Sequence, residues 1–208
     1  MLKLAEKPKR SEIRIEQAII TPEIAAAYLD KNTRNRDVQT PVVAAYARDM
    51  RAERWQITGA PIVFDKTGTL IDGQHRLMAC IRAEVPFPTM VVYGIETTAQ
   101  DVIDTNRPRT AMDALKLAGE AWTHQKIGVA RWILSVKNGE AHPYVARTTK
   151  WSNAELIDCV TNRPMIGSSI AYCHKATGVA LVPLAFVHYV ATHALGVAET
   201  ANAFATVF

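Results

Sequence analysis

Five consecutive residues, Asp72-Gly73-Gln74-His75-Arg76, gather a carboxylate, a carboxamide, an imidazole and a guanidinium around a glycine. Such a set can grip an anion, share a cation or move a proton, and its setting decides which. Pro61-Ile62-Val63-Phe64 precedes it as a run of strand formers. Asp65-Lys66-Thr67-Gly68 reads as a tight turn with Gly68 at positive φ, and Thr69 to Ile71 return as a second strand. Leu77, Cys80 and Ile81 then share one face at helical spacing, so a helix runs from Gln74 to about Ala83. The polar residues therefore occupy a first helical turn. There the backbone N–H groups lack partners and the helix end carries partial positive charge. This is phosphate-site chemistry. Gly73 would let an anion approach the backbone, while His75 and Arg76 would add donors. The plainer alternative makes Asp72 an N-cap and Arg76 a solvated surface charge.

The flanking elements must position that turn. Ile13-Arg14-Ile15 alternates like a short strand. Thr21-Pro22-Glu23 signals a helix start, with the helix reaching about Leu29, and Thr40-Pro41 repeats the signal. Val43, Tyr46, Ala47 and Met50 form the inward face of that second helix, and Arg48, Arg51 and Arg54 point elsewhere. Between the two helices a polar loop carries Arg34, Asn35 and Arg36. Pro86 and Pro88 break the chain after the central helix, and Thr89 to Tyr93 form a further strand. Thr98 can cap a short helix over Ala99 to Ile103. A second polar cluster, Asp104-Thr105-Asn106-Arg107-Pro108-Arg109-Thr110, follows it as a loop.

Beyond residue 110 the pattern is helical throughout: Ala111 to Ala118, Thr123 to Val136, a capping box at Ser152-Asn153-Ala154-Glu155, and a start at Pro183. The expected fold class is α/β (α+β), a small mixed sheet with helices, followed by an all-α C-terminal region. The expected domains are a loose N-terminus at 1–12, a site-bearing domain at 13–116 and a helical domain at 117–208. The last residues, Phe204 to Phe208, have neither cap nor polar tail. Either Phe208 packs inside a domain, or the chain is a piece of a longer one.

Composition narrows the class. The chain has 208 residues, net charge +4 and pI near 9.0, compatible with a polyanionic partner. Residues 1–116 carry 17 Lys+Arg against 15 Asp+Glu and residues 117–208 carry 7 against 5, so each part is net +2 and the first is far more densely charged. Three cysteines in no paired spacing suit reduced thiols, and with no signal peptide and no long apolar run they place the protein in the cytoplasm with no membrane partner. Cys80 shares the helix face with Leu77 and is expected in the core rather than as a nucleophile.

With both polar clusters in view, residues 13–116 resemble the ParB/sulfiredoxin-like superfamily, in the branch named for its Asp-Gly-Gln-His-Arg motif. Many members of that branch are encoded by bacteriophages and their hosts. Asp72 to Arg76 match the branch motif in full. Gly73 to Arg76 stand where ParB proteins have Gly-Glu-Arg-Arg and sulfiredoxins have Gly-Cys-His-Arg. Asn106 and Arg109 stand where ParB proteins carry an Asn-x-x-Arg box, and Asn35-Arg36 is similar to an early Arg-containing box. The resemblance implies a ParB/sulfiredoxin-like fold holding a nucleoside triphosphate, CTP or ATP, with Mg2+. It implies phosphate contacts by Gly73, Gln74, His75, Arg76, Arg109 and Arg36, and a metal contact by Asn106. Gln74 replaces the sulfiredoxin cysteine, so sulfinic-acid repair is not expected. Gln74 and Thr105 also replace the two ParB glutamates. Asp72 and Asp104 adjoin those gaps and are candidates for metal ligand or general base, with His75 beside them as a candidate catalytic group.

The leading expectation is a nucleotide-dependent enzyme, an NTPase or phosphotransferase, acting on or near DNA and conceivably on a modified base of phage DNA. The alternative is a non-catalytic DNA-binding module using Arg34, Arg48, Arg51 and Arg107 on phosphates. A nuclease ranks third, because no cluster of carboxylates is visible. A homodimer is compatible with either of the first two.

Overall fold

The computed structural model describes residues 13–33, 35, 37–101, 109–140, 149–176 and 178–197. The chain divides into two compact units, Met1–Arg107 and Pro108–Phe208. Among the described residues it carries four strands and eight α-helices, an α/β chain with one mixed sheet. None of these helices is long and apolar enough to cross a membrane.

In the first unit the order is β1 (Arg14–Ile20), α1 (Pro22–Leu29), α2 (Thr40–Arg51), β2 (Ile62–Asp65), β3 (Leu70–Asp72), α3 (Gln74–Ala83) and β4 (Phe87–Ile95). A 3-10 turn, Thr97–Asp101, follows. The strands lie in the order β1-β4-β2-β3, with β2 parallel to β4 and the other pairs antiparallel. The four strands expected near Ile13, Ile62, Leu70 and Val91 thus form one small mixed sheet. One face of it supplies Ile20, Ile62, Phe64, Leu70, Phe87 and Val91 to a core shared with α1, α2 and α3. At roughly 1.5–3 kcal/mol for each large side chain removed from water, that core dominates the stability of the unit.

Local rules explain most boundaries. Thr21 caps α1 by accepting the Ile24 N–H, with Pro22 at the first helical position. α3 spans the expected residues, but its apolar face differs. Leu77 and Cys80 are fully buried, whereas Ile81 is 39% exposed and Ala79 takes the inward position. β4 begins earlier than the prolines suggest. Pro88 faces only Ile19 of β1, because β2 does not join until Val91, so its missing N–H costs no bond to a second strand. The short turn begins at Thr97 rather than at a Thr98 cap, because the Thr97 hydroxyl donates to Asp65.

α3 lies between α1 and α2. Its pairing with α2 is pinned at both ends. The Gln39 N–H, at the start of α2, donates to His75 Nε2 at 3.0 Å. At the other end Arg51 donates from Nε to the Ala83 carbonyl at 3.3 Å and from Nη2 to the Arg82 carbonyl. Those carbonyls are among the last four of α3, which have no partner within the helix, and a cation suits that end of the dipole. The two helices therefore run side by side in the same direction.

In the second unit the described elements are α4 (Ala111–Leu117), α5 (Thr123–Lys137), α6 (Asn153–Thr161), α7 (Met165–Cys173) and α8 (Leu181–Tyr189). A π-helical turn, Val190–Ala194, continues α8. Two capping boxes start helices here, Thr110 with Asp113 and Ser152 with Glu155. Ala111 and Leu115 of α4 pack with Ile127, Val129, Leu156, Ile166 and Leu184. The division therefore falls before α4 rather than after it. α7 starts after Pro164 without a side-chain cap.

Cys80 has no exposed surface, and its thiol donates to the Ile20 and Val85 carbonyls at 3.4 and 3.3 Å. Burial, with a smaller contribution from the charge of Glu23, pushes its pKa up to about 11. Cys159 and Cys173 are buried as well. Titration of the native protein with a thiol reagent should label none of the three on the timescale of free cysteine, with full labelling only in denaturant.

Candidate functional site

The motif lies where three segments meet. Asp72 closes β3 opposite Val63, Gly73 takes φ 108° and ψ 0°, and α3 starts at Gln74. Gly73, at the N-cap position, offers no side chain to cap this helix end. Lys31, Asn32 and Asn35, between α1 and α2, meet it. The Leu70 N–H donates to the Lys31 carbonyl at 3.0 Å. Asn35 Nδ2 donates to the Leu70 carbonyl at 2.8 Å and to Asn32 Oδ1. Asn32 Nδ2 in turn donates to Gln74 Oε1 at 3.1 Å.

Gln74 is buried, and its bond to Asn32 is how a carboxamide is kept there without desolvation cost. Because His75 Nε2 accepts from Gln39, the neutral ring carries its proton on Nδ1. Any donor role for His75 then belongs to Nδ1. The Arg76 side chain is only 12% exposed and that of Asp72 24%. Arg76 Nη2 donates to Asp72 Oδ2 at 2.9 Å and to the Pro61 carbonyl at 2.9 Å, and Nη1 donates to the Ala60 carbonyl. This geometry departs from the plain surface reading: Gly73 holds the N-cap position, and Arg76 is inside rather than solvated. It also gives the guanidinium structural work, binding the chain before β2 to the start of α3. Three bonds from a five-donor fork leave the Nε N–H and one Nη1 N–H without a partner among the described residues.

Gly73 answers to the protein itself as well as to any ligand. A Cβ there would run into the Ile62 side chain and lie 3.3 Å from Ile62 Cα. The missing side chain therefore permits the close packing of α3 on β2 at a positive φ that other residues avoid.

A second knot lies at the other end of β2. Asp65 is 3% exposed. Its Oδ1 accepts from the Thr67 N–H (2.8 Å), the Thr67 hydroxyl (2.7 Å) and the Thr69 N–H (2.9 Å), and its Oδ2 accepts from the Thr97 hydroxyl (2.9 Å). Burial is the largest single influence and would raise its pKa. The bonds from Thr67, Thr69 and Thr97 together outweigh burial and hold it below the ordinary 3.8. An Asp followed by Thr at the second and fourth positions is an Asx-turn signal that could have been read from the sequence. Asn32 and Asn35 carried no such signal.

Two further expected site residues lie on α2. Arg48 is half-buried on α2, and Arg51 is spent on the end of α3. Arg109 is exposed in the second unit, where its carbonyl accepts from Asn153 Nδ2 at 2.8 Å. Arg34, Arg36, Asp104, Asn106 and Arg107 lie outside the described residues. Among the described residues no group of three or more His, Cys, Asp or Glu side chains could hold a metal ion. Comparison of the chain with protein-family models, with curated proteins and with solved structures finds no match in any of the three.

Proposed function

We propose that the first unit binds a nucleotide through its phosphates at the N-terminal turn of α3. We read the protein as an NTPase or phosphotransferase acting on or near DNA. The observation that supports this best is the glycine N-cap of α3 beside the two Arg76 N–H groups that have no partner among the described residues. Backbone donors, helix dipole and a guanidinium already held in place suit a phosphate. The ParB/sulfiredoxin-like reading of residues 13–116 supports the same turn and suggests CTP or ATP. On this reading the second unit is an all-α accessory region.

The donor set constrains the metal. The described residues hold no three-ligand cluster, and on this reading Mg2+ would enter as an ion carried by the phosphates. Asp72 would then be its protein ligand, since Oδ2 is taken by Arg76 and Oδ1 has no hydrogen bond among the described residues.

The test is calorimetric titration of the full chain with CTP and with ATP, each with Mg2+. It is run on wild type, Arg76→Lys and Asp72→Asn. Arg76→Lys keeps the charge and loses the fork. It should weaken binding by about tenfold, the loss of one charge-assisted bond of roughly 1.5 kcal/mol. Asp72→Asn should retain binding and lose its dependence on Mg2+. If no nucleotide binds, or Arg76→Lys binds as wild type does, the reading fails. Salt-dependent DNA affinity that ignores Arg76→Lys would put a DNA-binding module in its place.

A further inference from the structure

We propose that the protein pairs with a second copy of itself through β1, the two strands running antiparallel about a two-fold axis at Ile15. This does not rest on the nucleotide reading.

The two edges of the sheet are treated differently. β3 is three residues long, and the loop between α1 and α2 meets it through the Lys31 carbonyl and the Asn35 carboxamide. Short length and a covering loop are two of the usual devices that stop an edge from pairing. β1 has neither. It is seven residues long, and among the described residues β4 is its sole neighbour in the sheet. Its sequence, Arg-Ile-Glu-Gln-Ala-Ile-Ile, holds no proline and no lysine, and its register with β4 is unbroken by a bulge. Half of the backbone groups of such a strand point outward and call for partners.

The side chains say what the partner is. On the face away from the helices, Ile13, Ile15 and Ile19 are 54%, 64% and 67% exposed. Val92 and Pro88 of β4 stand directly opposite Ile15 and Ile19 and continue that apolar surface. On the opposite face Arg14 and Glu16 lie two residues apart, pair with each other at 3.6 Å, and keep side chains 65% and 39% exposed to a second charge partner. A two-fold axis at Ile15 sets Arg14 against Glu16 of the second copy, and Glu16 against its Arg14. Ile15 meets its own copy. The strand is thus complementary to itself in charge and in apolarity. A parallel pairing in register would set Arg14 beside Arg14. An antiparallel pairing centred on Gln17 would set Arg14 opposite Ile20, which has no exposed surface, and would add no charge partner across the interface to the pair each chain already holds. Opposed charges and matched β-branched residues each favour a cross-strand pair, and like charges disfavour it.

The experiment is sedimentation equilibrium of the full chain over a range of concentrations, with engineered cysteines as a register probe. Wild type should show a reversible dimer. Ile15→Cys should form a covalent dimer on mild oxidation, because residues directly opposite on paired strands come within disulfide reach. Ile19→Cys should not. The native cysteines are buried and give little background. Glu16→Arg should weaken the dimer by about tenfold or more, and Arg14→Glu combined with Glu16→Arg should restore it. A wild type that stays monomeric throughout overturns the proposal. So does cross-linking through Ile19→Cys in place of Ile15→Cys. Glu16 also accepts from the Tyr93 hydroxyl at 3.1 Å, so that variant could perturb the fold. Ile15 is solvent-facing, and its cysteine variant decides the matter on its own.

Discussion

Asp65→Ala should destabilise the first unit by about 3 kcal/mol, read as a lower urea midpoint with an unchanged slope. The carboxylate accepts four hydrogen bonds at 2.7–2.9 Å and is 3% exposed. Its removal strands the Thr67 and Thr69 N–H groups in the β2–β3 turn and frees Thr97 at the end of β4. Each bond to a charged acceptor is worth roughly 1.5–3 kcal/mol, but the four share one group and do not add. Asp65→Asn keeps an acceptor oxygen and should lose less. The pH dependence follows from the direction of the shift. The folded pKa lies below the ordinary 3.8, so the folded state favours the ionised form. The contribution is fully present above the unfolded value and disappears as pH falls through the folded one. The gap between wild type and Asp65→Ala should therefore be widest above the unfolded value and narrow as pH falls below it through the folded one. A gap that persists unchanged at pH 2 would show that the carboxylate charge is not what holds the turn.

Gly73→Ala should cost a similar amount, about 2–4 kcal/mol, from two sources. A φ of 108° strains any residue with a Cβ, at roughly 1–2 kcal/mol. The new methyl also meets Ile62, which has no exposed surface and nowhere to turn. The two contributions can be separated. Ile62→Val removes the Cδ1 that the methyl would strike and by itself costs about 1 kcal/mol. The double variant should be less destabilised than the sum of the singles, because the clash is relieved and the backbone strain remains. Strict additivity would mean that packing against Ile62 plays no part. The same variants bear on function. If Gly73→Ala weakens nucleotide binding at temperatures where it stays folded, and Ile62→Val restores it, the glycine serves the ligand through the placement of α3.

Local structure in the first unit was legible because it depends on neighbours in sequence. The run of strand formers Ile62 to Phe64, a turn glycine at Gly68 with φ 85°, and helical spacing from Gln74 to Ala83 each involve residues within a few positions of one another. The cap at Thr21 and the capping box at Ser152 belong to the same class. Where a longer-range fact intervened, local rules fell short. Pro88 sits inside β4 because β2 starts too late to need its N–H. Ile81 is exposed because α1 and α2 bracket α3 from two sides and leave that flank open.

The functional residues divide on the same line. By itself the sequence determined that Asp72 to Arg76 lie at a strand-to-helix junction, with Gly73 at the turn and the helix dipole behind it. Tertiary structure alone decided what those side chains hold. Arg76 closes on Asp72 and on the carbonyls of Ala60 and Pro61, His75 takes the Gln39 N–H, Gln74 takes Asn32, and Arg51 caps α3. Most of those partners lie far off in the chain. A polar residue type states that a hydrogen bond is needed, but the packing of distant segments chooses the partner, because an unpaired buried donor costs the same whichever acceptor satisfies it.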